Sequence, residues 1–443
     1  MLRWLILPGA LLFAAVPCAI AQGQVVDAAA KETNPASIFG YLKAMYVADD
    51  KKGGRSNQST PGFGGKLGVE TREYFGLKVK GAWYVTTDLG LRQEDPRKTD
   101  AYMFDLDKEP YSLLGEMQIS ARLGKTALTI GRQEFFSPII NTYDYRIIPN
   151  LFDAYTLTNR DLPDTTVTLA YVSKMSGLDG LVTFSEFRSM SQQAYTSLKV
   201  AADGSIDAKN GDTPDISKVV GDHGVWTTGI VHGKDNKFQL WNYYGTDTLN
   251  TLYIDGQLKS GLSQDFTATL EGQTYQVSAV GGFKNHLTQL GLNASYGLYG
   301  VKGALANRPS GVTLALSLNH FTGNRNTVTA YGNWGGYPEF VVMPYMHAEN
   351  KGTSAIVGSN LARVTILFDL GVYGLTGQSL LLGHANINID EKLLANSDVK
   401  VSTLLYRAQI TQKLSARVAI DTRNSKNSRY DNEFVALGVR YDF

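Results

Sequence analysis

Lys66, Glu70 and Arg72, followed by Lys78 and Lys80, all stand at even separations within their segments. Extended chain places such residues on one face. Lys78 and Lys80 would then lie about 7 Å apart, and in water two charges at that distance repel by only about 0.6 kcal/mol. The stretch is therefore stable if its polar face is wet, and its ammonium and guanidinium groups could hold an anion there weakly and release it. The other face is apolar: Phe63, Leu67 and Val69 on the first arm, Leu77, Val79, Trp83 and Val85 on the second. The next hairpin, 112–134, sets Leu113, Met117, Ile119 and Leu123 against Glu116, Gln118, Ser120 and Arg122.

The elements that must position these residues are strands. Alternating segments of about ten residues recur along the chain, separated by turn-rich polar stretches, in a sequence with 24 Tyr, 18 Phe and 45 Gly. This is the pattern of an all-β transmembrane antiparallel β-barrel, and a closed barrel is the one sheet that leaves no unpaired backbone in lipid. Strands are expected at 37–48, in two hairpins over 62–88 and 112–134 with a short turn at 124–125, and at 152–159, 165–174, 225–232, 237–246, 249–260, 265–279, 287–298, 311–321, 361–370, 379–389, 399–410, 414–423 and 433–443, about eighteen in all. The faces of 399–410 stay ambiguous, and 175–224 is the least legible region. Turning the 62–88 hairpin inside out would expose Lys66, Arg72, Lys78 and Lys80 to lipid at about 2–4 kcal/mol each. Those residues must face a wet lumen rather than a filled core.

The opening residues "MLRWLILPGALLFAAVPCAIAQ" carry a basic n-region, an apolar run and an Ala-Ile-Ala site. They read as a secretory signal peptide over 1–21, followed by a lead-in over 22–36 and the barrel over 37–443. Cleavage would remove Cys18, the sole cysteine, so no disulfide is expected. With 42 basic against 41 acidic residues, net charge points to no nucleic-acid partner.

The basic residues gather on neighbouring strands. Arg417, Arg423 and Arg440 near the end, then Lys43, Lys66, Arg72, Lys78, Lys80 and Arg122 near the start, form one wall if the last strand closes on the first. The wall made by 265–321 is expected to be neutral, presenting Thr267, Thr269, Gln273, Gln289, Asn293, Ser295, Thr313, Ser317 and Asn319 with Glu271 the one charge. Two readings are open. The stripe is a ladder that passes an anionic group along the lumen, or it is balanced locally by Glu70, Asp88, Glu116, Asp421 and Asp442.

The segment "GRQEFFSPIINTYDYRIIPNLFDAY" (131–155) resembles the OprD-type family of substrate-specific outer-membrane porins, through Gly131-Arg132-Gln133, Pro138, Asp144-Tyr145-Arg146, Pro149-Asn150 and Phe152. "GGYPEFVVMPYMH" (335–347) and "DLGVYGLTG" (369–377) are similar to the family's seventh long loop and a following turn. The resemblance implies an eighteen-stranded barrel, single or loosely trimeric, whose third and seventh loops fold inward. It also implies passive uptake of small solutes, often carboxylates or amino acids, and no cofactor is expected. Terminal Phe443 fits the signal read by the outer-membrane assembly machinery. Constriction candidates carried over are Arg132, Tyr143, Asp144, Arg146 and Asp153, with Glu339, Met343 and Tyr345 on the facing loop. Each of these could contact solute or simply brace loop against wall.

Enzyme motifs are missing: the six histidines share no ligand spacing, and neither H-E-x-x-H nor G-x-S-x-G occurs. "GFGGKLG" lacks the residues of a phosphate loop and reads as glycines in a tightly curved strand. The favoured expectation is a diffusion channel. The alternative is a sheath holding a partner such as a cytochrome through the membrane.

Overall fold

The computed structural model describes residues 35–443 except 101–102, 178–182, 197–215, 325, 329, 333, 342–357, 390–397, 427 and 429–430. The expected signal peptide and most of the lead-in lie outside the described residues. Eighteen antiparallel strands form a closed barrel. They are β1 (Ala36–Lys51), β2 (Gln58–Thr71), β3 (Leu77–Thr87), β4 (Ser112–Leu123), β5 (Thr126–Gln133), β6 (Leu151–Asn159), β7 (Thr165–Ser176), β8 (Val225–His232), β9 (Lys237–Gly245), β10 (Leu249–Gly261), β11 (Phe266–Ala279), β12 (Ser295–Asn307), β13 (Val312–Phe321), β14 (Ser359–Asp369), β15 (Gln378–Ile389), β16 (Val399–Gln409), β17 (Leu414–Ser425) and β18 (Asn432–Asp442). Each pairs with its chain neighbour, and β18 pairs with β1 from Tyr41↔Asp442 to Lys51↔Asn432. Phe443 and Gly40 exchange backbone hydrogen bonds of 3.1 and 3.2 Å, so the pairing runs to the last residue.

The alternation decides the faces. Leu67, Val69, Val79, Trp83 and Ile119 point outward and are exposed, while their polar neighbours turn inward. Leu113 breaks the expected pattern. A bulge opposite Ala82 and Trp83 inserts Gly115 into β4, so Leu113 comes to face Tyr84 in the lumen while Met117 and Ile119 stay outside. A second difference lies at 287–298, expected to be strand. Residues Gly281–Gln289 form a helix, α1, whose buried Phe283 and Leu287 are four apart and so share one helical face. The strand itself starts at Ser295.

Connections at one end are tight, such as Gly124-Lys125 between β4 and β5. At the other end run the long ones, including 88–111, 134–150, 177–224 and 322–358. The loop over 134–150 is third and that over 322–358 seventh in order at that end, and the described parts of both turn into the lumen. Two apolar clusters result. One joins Ile139, Ile140 and Trp334 to Trp241, Tyr243, Tyr275 and Phe321 of the wall; the other joins Phe104 and Ile147 to Tyr41, Met45 and Tyr84. The lumen is therefore partly packed, which corrects the expectation of an unfilled interior. The packing comes from loop residues rather than from the strands alone. Gly62 and Gly64 of "GFGGKLG" open the wall for it, because a Cβ on either would come within 2.8 Å of the Ile147 side chain.

Candidate functional site

Four successive loop residues, Tyr143 to Arg146, carry the site. Tyr143 has a left-handed φ of 45°, which a bulky aromatic adopts only when its surroundings hold it there. Its ring packs on Tyr145 (4.6 Å between centroids) and edge-on against Tyr337 of the seventh loop (5.0 Å). This turn aims Asp144 at the seam between β1 and β18. There Asp144 Oδ1 accepts from Lys43 Nζ, and Oδ2 accepts from Arg440 Nη1 at 2.5 Å. Lys43 Nζ also donates to the Arg146 carbonyl at 2.7 Å, and Arg417 Nη2 donates to the Tyr145 carbonyl. Burial pushes the Asp144 carboxyl up, but Lys43, Arg440 and Arg417 outweigh it and hold it below the ordinary carboxylate range.

Strand register explains why these cations meet. Lys43 and Arg440 are direct cross-strand partners, as are Arg407 and Arg417. Four neighbouring strands, β16, β17, β18 and β1, thus each contribute one cation to a single chamber of about 770 Å³. Asp144 and Asp369 line the same chamber, together with the apolar Met45, Leu367, Leu381 and Leu405. Arg440 also pairs with Asp442 at 2.7 Å and lies 4.1 Å over the Tyr41 ring. Arg407 was not singled out from the sequence, because the faces of 399–410 alternate poorly. The tight 410–413 turn fixes the register that sets Arg407 opposite Arg417, and that was the available signal.

The remaining basic candidates continue along the same wall. Lys66 meets Glu116 and Glu134, each at 3.1 Å, and Lys80 meets Glu116 at 2.5 Å. Lys78 pairs with Glu70 at 2.6 Å, and Arg122 with Glu73 at 3.6 Å. Arg72 lies over the Tyr74 ring, and buried Arg423 donates to Ser425 Oγ at 3.2 Å. Local balance by acids is thus real at Glu70 and Glu116.

Other constriction candidates are placed apart from the chamber. Arg132 donates to the Leu114 carbonyl at 2.9 Å and lies opposite Asp153 in register. Buried Arg146 lies 3.9 Å from Asp100 and 5.7 Å over the Phe434 ring, so its side chain braces loop against wall. Glu339 is fully buried and accepts from Tyr275 at 2.8 Å. Met343 and Tyr345 lie outside the described residues. The wall expected to carry Glu271 as its one charge also carries Lys302 of β12, buried and paired with Glu271, and buried Arg363 lies on β14 beside that wall. Lys302 escaped notice because the strand was placed too early in sequence. Of the residues expected on that wall, Gln289 ends helix α1 and Asn293 precedes β12.

Residues 62–206 match the model of the outer membrane porin, OprD family. The folds of solved porins match almost end to end. Pseudomonas aeruginosa OccK9 (OpdG) is 16% identical with a TM-score of 0.70, covering 92% of this chain and 98% of its own. A BenF-like porin from Pseudomonas fluorescens Pf-5 is 14% identical with a TM-score of 0.70 and the same coverage. Pseudomonas aeruginosa OpdK, solved with vanillate, is 15% identical with a TM-score of 0.65 over 92% and 98% of the two chains. No curated protein sequence matches. The chain has the fold of an OprD-type outer-membrane porin, and residues 62–206 carry that family's sequence pattern. Such porins reside in the outer membrane of Gram-negative bacteria, so the tight-turn end of the barrel faces the periplasm and the long loops the exterior.

Proposed function

We propose that this porin passes small organic carboxylates, and that the chamber bordered by Lys43, Arg407, Arg417 and Arg440 is where the carboxylate is held. One observation carries the reading: four cations from four adjacent strands converge on one chamber that also has an apolar side. Guanidinium forks suit a carboxylate, while Met45, Leu381 and Leu405 suit the hydrocarbon or aromatic body of the same molecule. OpdK, which shares the fold, has been solved with vanillate, an aromatic carboxylate. Lys66, Lys80, Lys78, Arg72 and Arg122 then continue a basic stripe toward the periplasmic end, with Arg423 above the chamber. Weak, successive sites of this kind let a solute leave as well as enter.

The test is blockade of single-channel current by benzoate, benzyl alcohol and benzylammonium in a planar bilayer. Benzoate should block at concentrations at least tenfold lower than the other two; equal blockade would contradict the reading. A sheath for a cytochrome needs an unobstructed lumen, whereas the third and seventh loops meet through Asn141 N to Trp334 O (2.9 Å) and Gly336 N to Ile139 O (3.0 Å). Removal of 1–21 on secretion, recognition of Phe443 by the assembly machinery and a loose trimer belong to the same proposal. Mass of the mature chain and cross-linking in membranes test the first and last.

A further inference from the structure

The oxygens that residues 144–146 present to the wall are arranged as those of a solute would be. Both carboxylate oxygens of Asp144 are taken, one by Lys43 and one by Arg440, and two main-chain carbonyls, Tyr145 and Arg146, go to Arg417 and Lys43. Three of the four chamber cations are thus met by one three-residue segment of the chain. That segment is not sealed in: the Asp144 side chain keeps 34% of its surface open, and Asp144 lines the chamber beside the cations it holds. Its neighbour Tyr143 is held in left-handed backbone, a conformation that raises the energy of the docked loop and favours its release.

We infer that Asp144 is a tethered competitor: the loop's own carboxylate occupies the site of the solute carboxylate, and a solute passes by displacing it from Lys43 and Arg440. The inference rests on the carboxylate reading of the chamber. In physical terms the loop lowers the apparent affinity for solute by the fraction of time it occupies the site. It also speeds release, because Asp144 returns as the solute leaves. A merely bracing Asp144 would make the opposite prediction, since its loss would loosen the site and weaken binding.

Benzoate blockade of the Asp144→Asn porin tests this. The expected result is at least tenfold tighter benzoate block with a longer dwell time, while Asp144→Glu, which keeps a carboxylate on the loop, stays near wild type. Unchanged or weaker block in Asp144→Asn would overturn the inference. Hydrogen exchange of the unaltered porin covers the case in which that variant fails to assemble. Saturating benzoate should speed exchange at the Tyr143 and Tyr145 amides, which are bonded within the docked turn to Asn141 Oδ1 and the Tyr143 carbonyl. Unchanged or slower exchange would overturn it. The failures are distinguishable: if wild type prefers benzoate yet Asp144→Asn is unchanged, only the competitor falls. If wild type blocks benzyl alcohol equally well, the carboxylate reading falls with it.

Discussion

Lys43 and Arg440 face each other across the seam that closes the barrel, so two like charges sit on directly opposed residues. Such a pair is unfavourable alone, and Asp144 and Asp442 offset it. Replacing Arg440 by Gln removes a guanidinium from the chamber without leaving Asp144 unpartnered, because Lys43 remains. Charged hydrogen bonds contribute about 1.5–3 kcal/mol, so Arg440→Gln should weaken benzoate block by about 10- to 100-fold, read from current blockade. Gly336 makes a different prediction. A Cβ there would lie 2.1 Å from the Pro138 carbonyl oxygen and 2.4 Å from Ile139 backbone atoms. Backbone cannot yield as a flexible side chain can, so Gly336→Ala should part the third and seventh loops. The expected readout is a higher single-channel conductance with the barrel still folded.

Among the elements, the seventh loop has a docking that weakens as pH rises. Glu339 is buried against Tyr275, and that burial pushes its carboxyl up to about 7 despite the hydrogen bond from the Tyr275 hydroxyl. An undocked, solvated glutamate ionises near 4.5. The docked loop therefore holds its proton more tightly. Docking is strongest below about pH 4.5, weakens as pH rises, and stops changing above about 7. The span corresponds to roughly 3 kcal/mol. Hydrogen exchange across 334–341 should accelerate from pH 4.5 to 7 beyond its intrinsic pH dependence, and Glu339→Gln should remove the excess. The strands were legible because lipid enforces alternation: Leu67, Val69 and Val79 could face only outward once Lys66, Lys78 and Lys80 faced in. The departures share a cause. The β4 bulge and helix α1 are set by tertiary packing, through Gly115 beneath the Tyr84 and Leu151 side chains and through Phe283 and Leu287, which period-two reading does not register. Lys302 and Arg407 were hidden by strand placement and face ambiguity, whereas Lys43, Arg417 and Arg440 followed from closure alone.

For the whole molecule, the outer surface and the lumen obey opposite rules. Leu316 lies on the outward apolar face of β13 with Leu314 and Leu318 on either side of it. Leu316→Arg should destabilise the barrel by about 2–4 kcal/mol if Leu316 sits at mid-bilayer depth, measured by urea unfolding in lipid vesicles. The lumen tolerates cations because the chamber and its counter-charges solvate them, and under the proposed function their placement on contiguous strands sets the sign of the channel's preference. The reversal potential under a potassium chloride gradient tests this account most directly. The wild-type porin should prefer chloride over potassium, and the Arg417→Gln, Arg440→Gln double variant should lose most of that preference. A cation preference in the wild type, or an anion preference untouched by the double substitution, would contradict it.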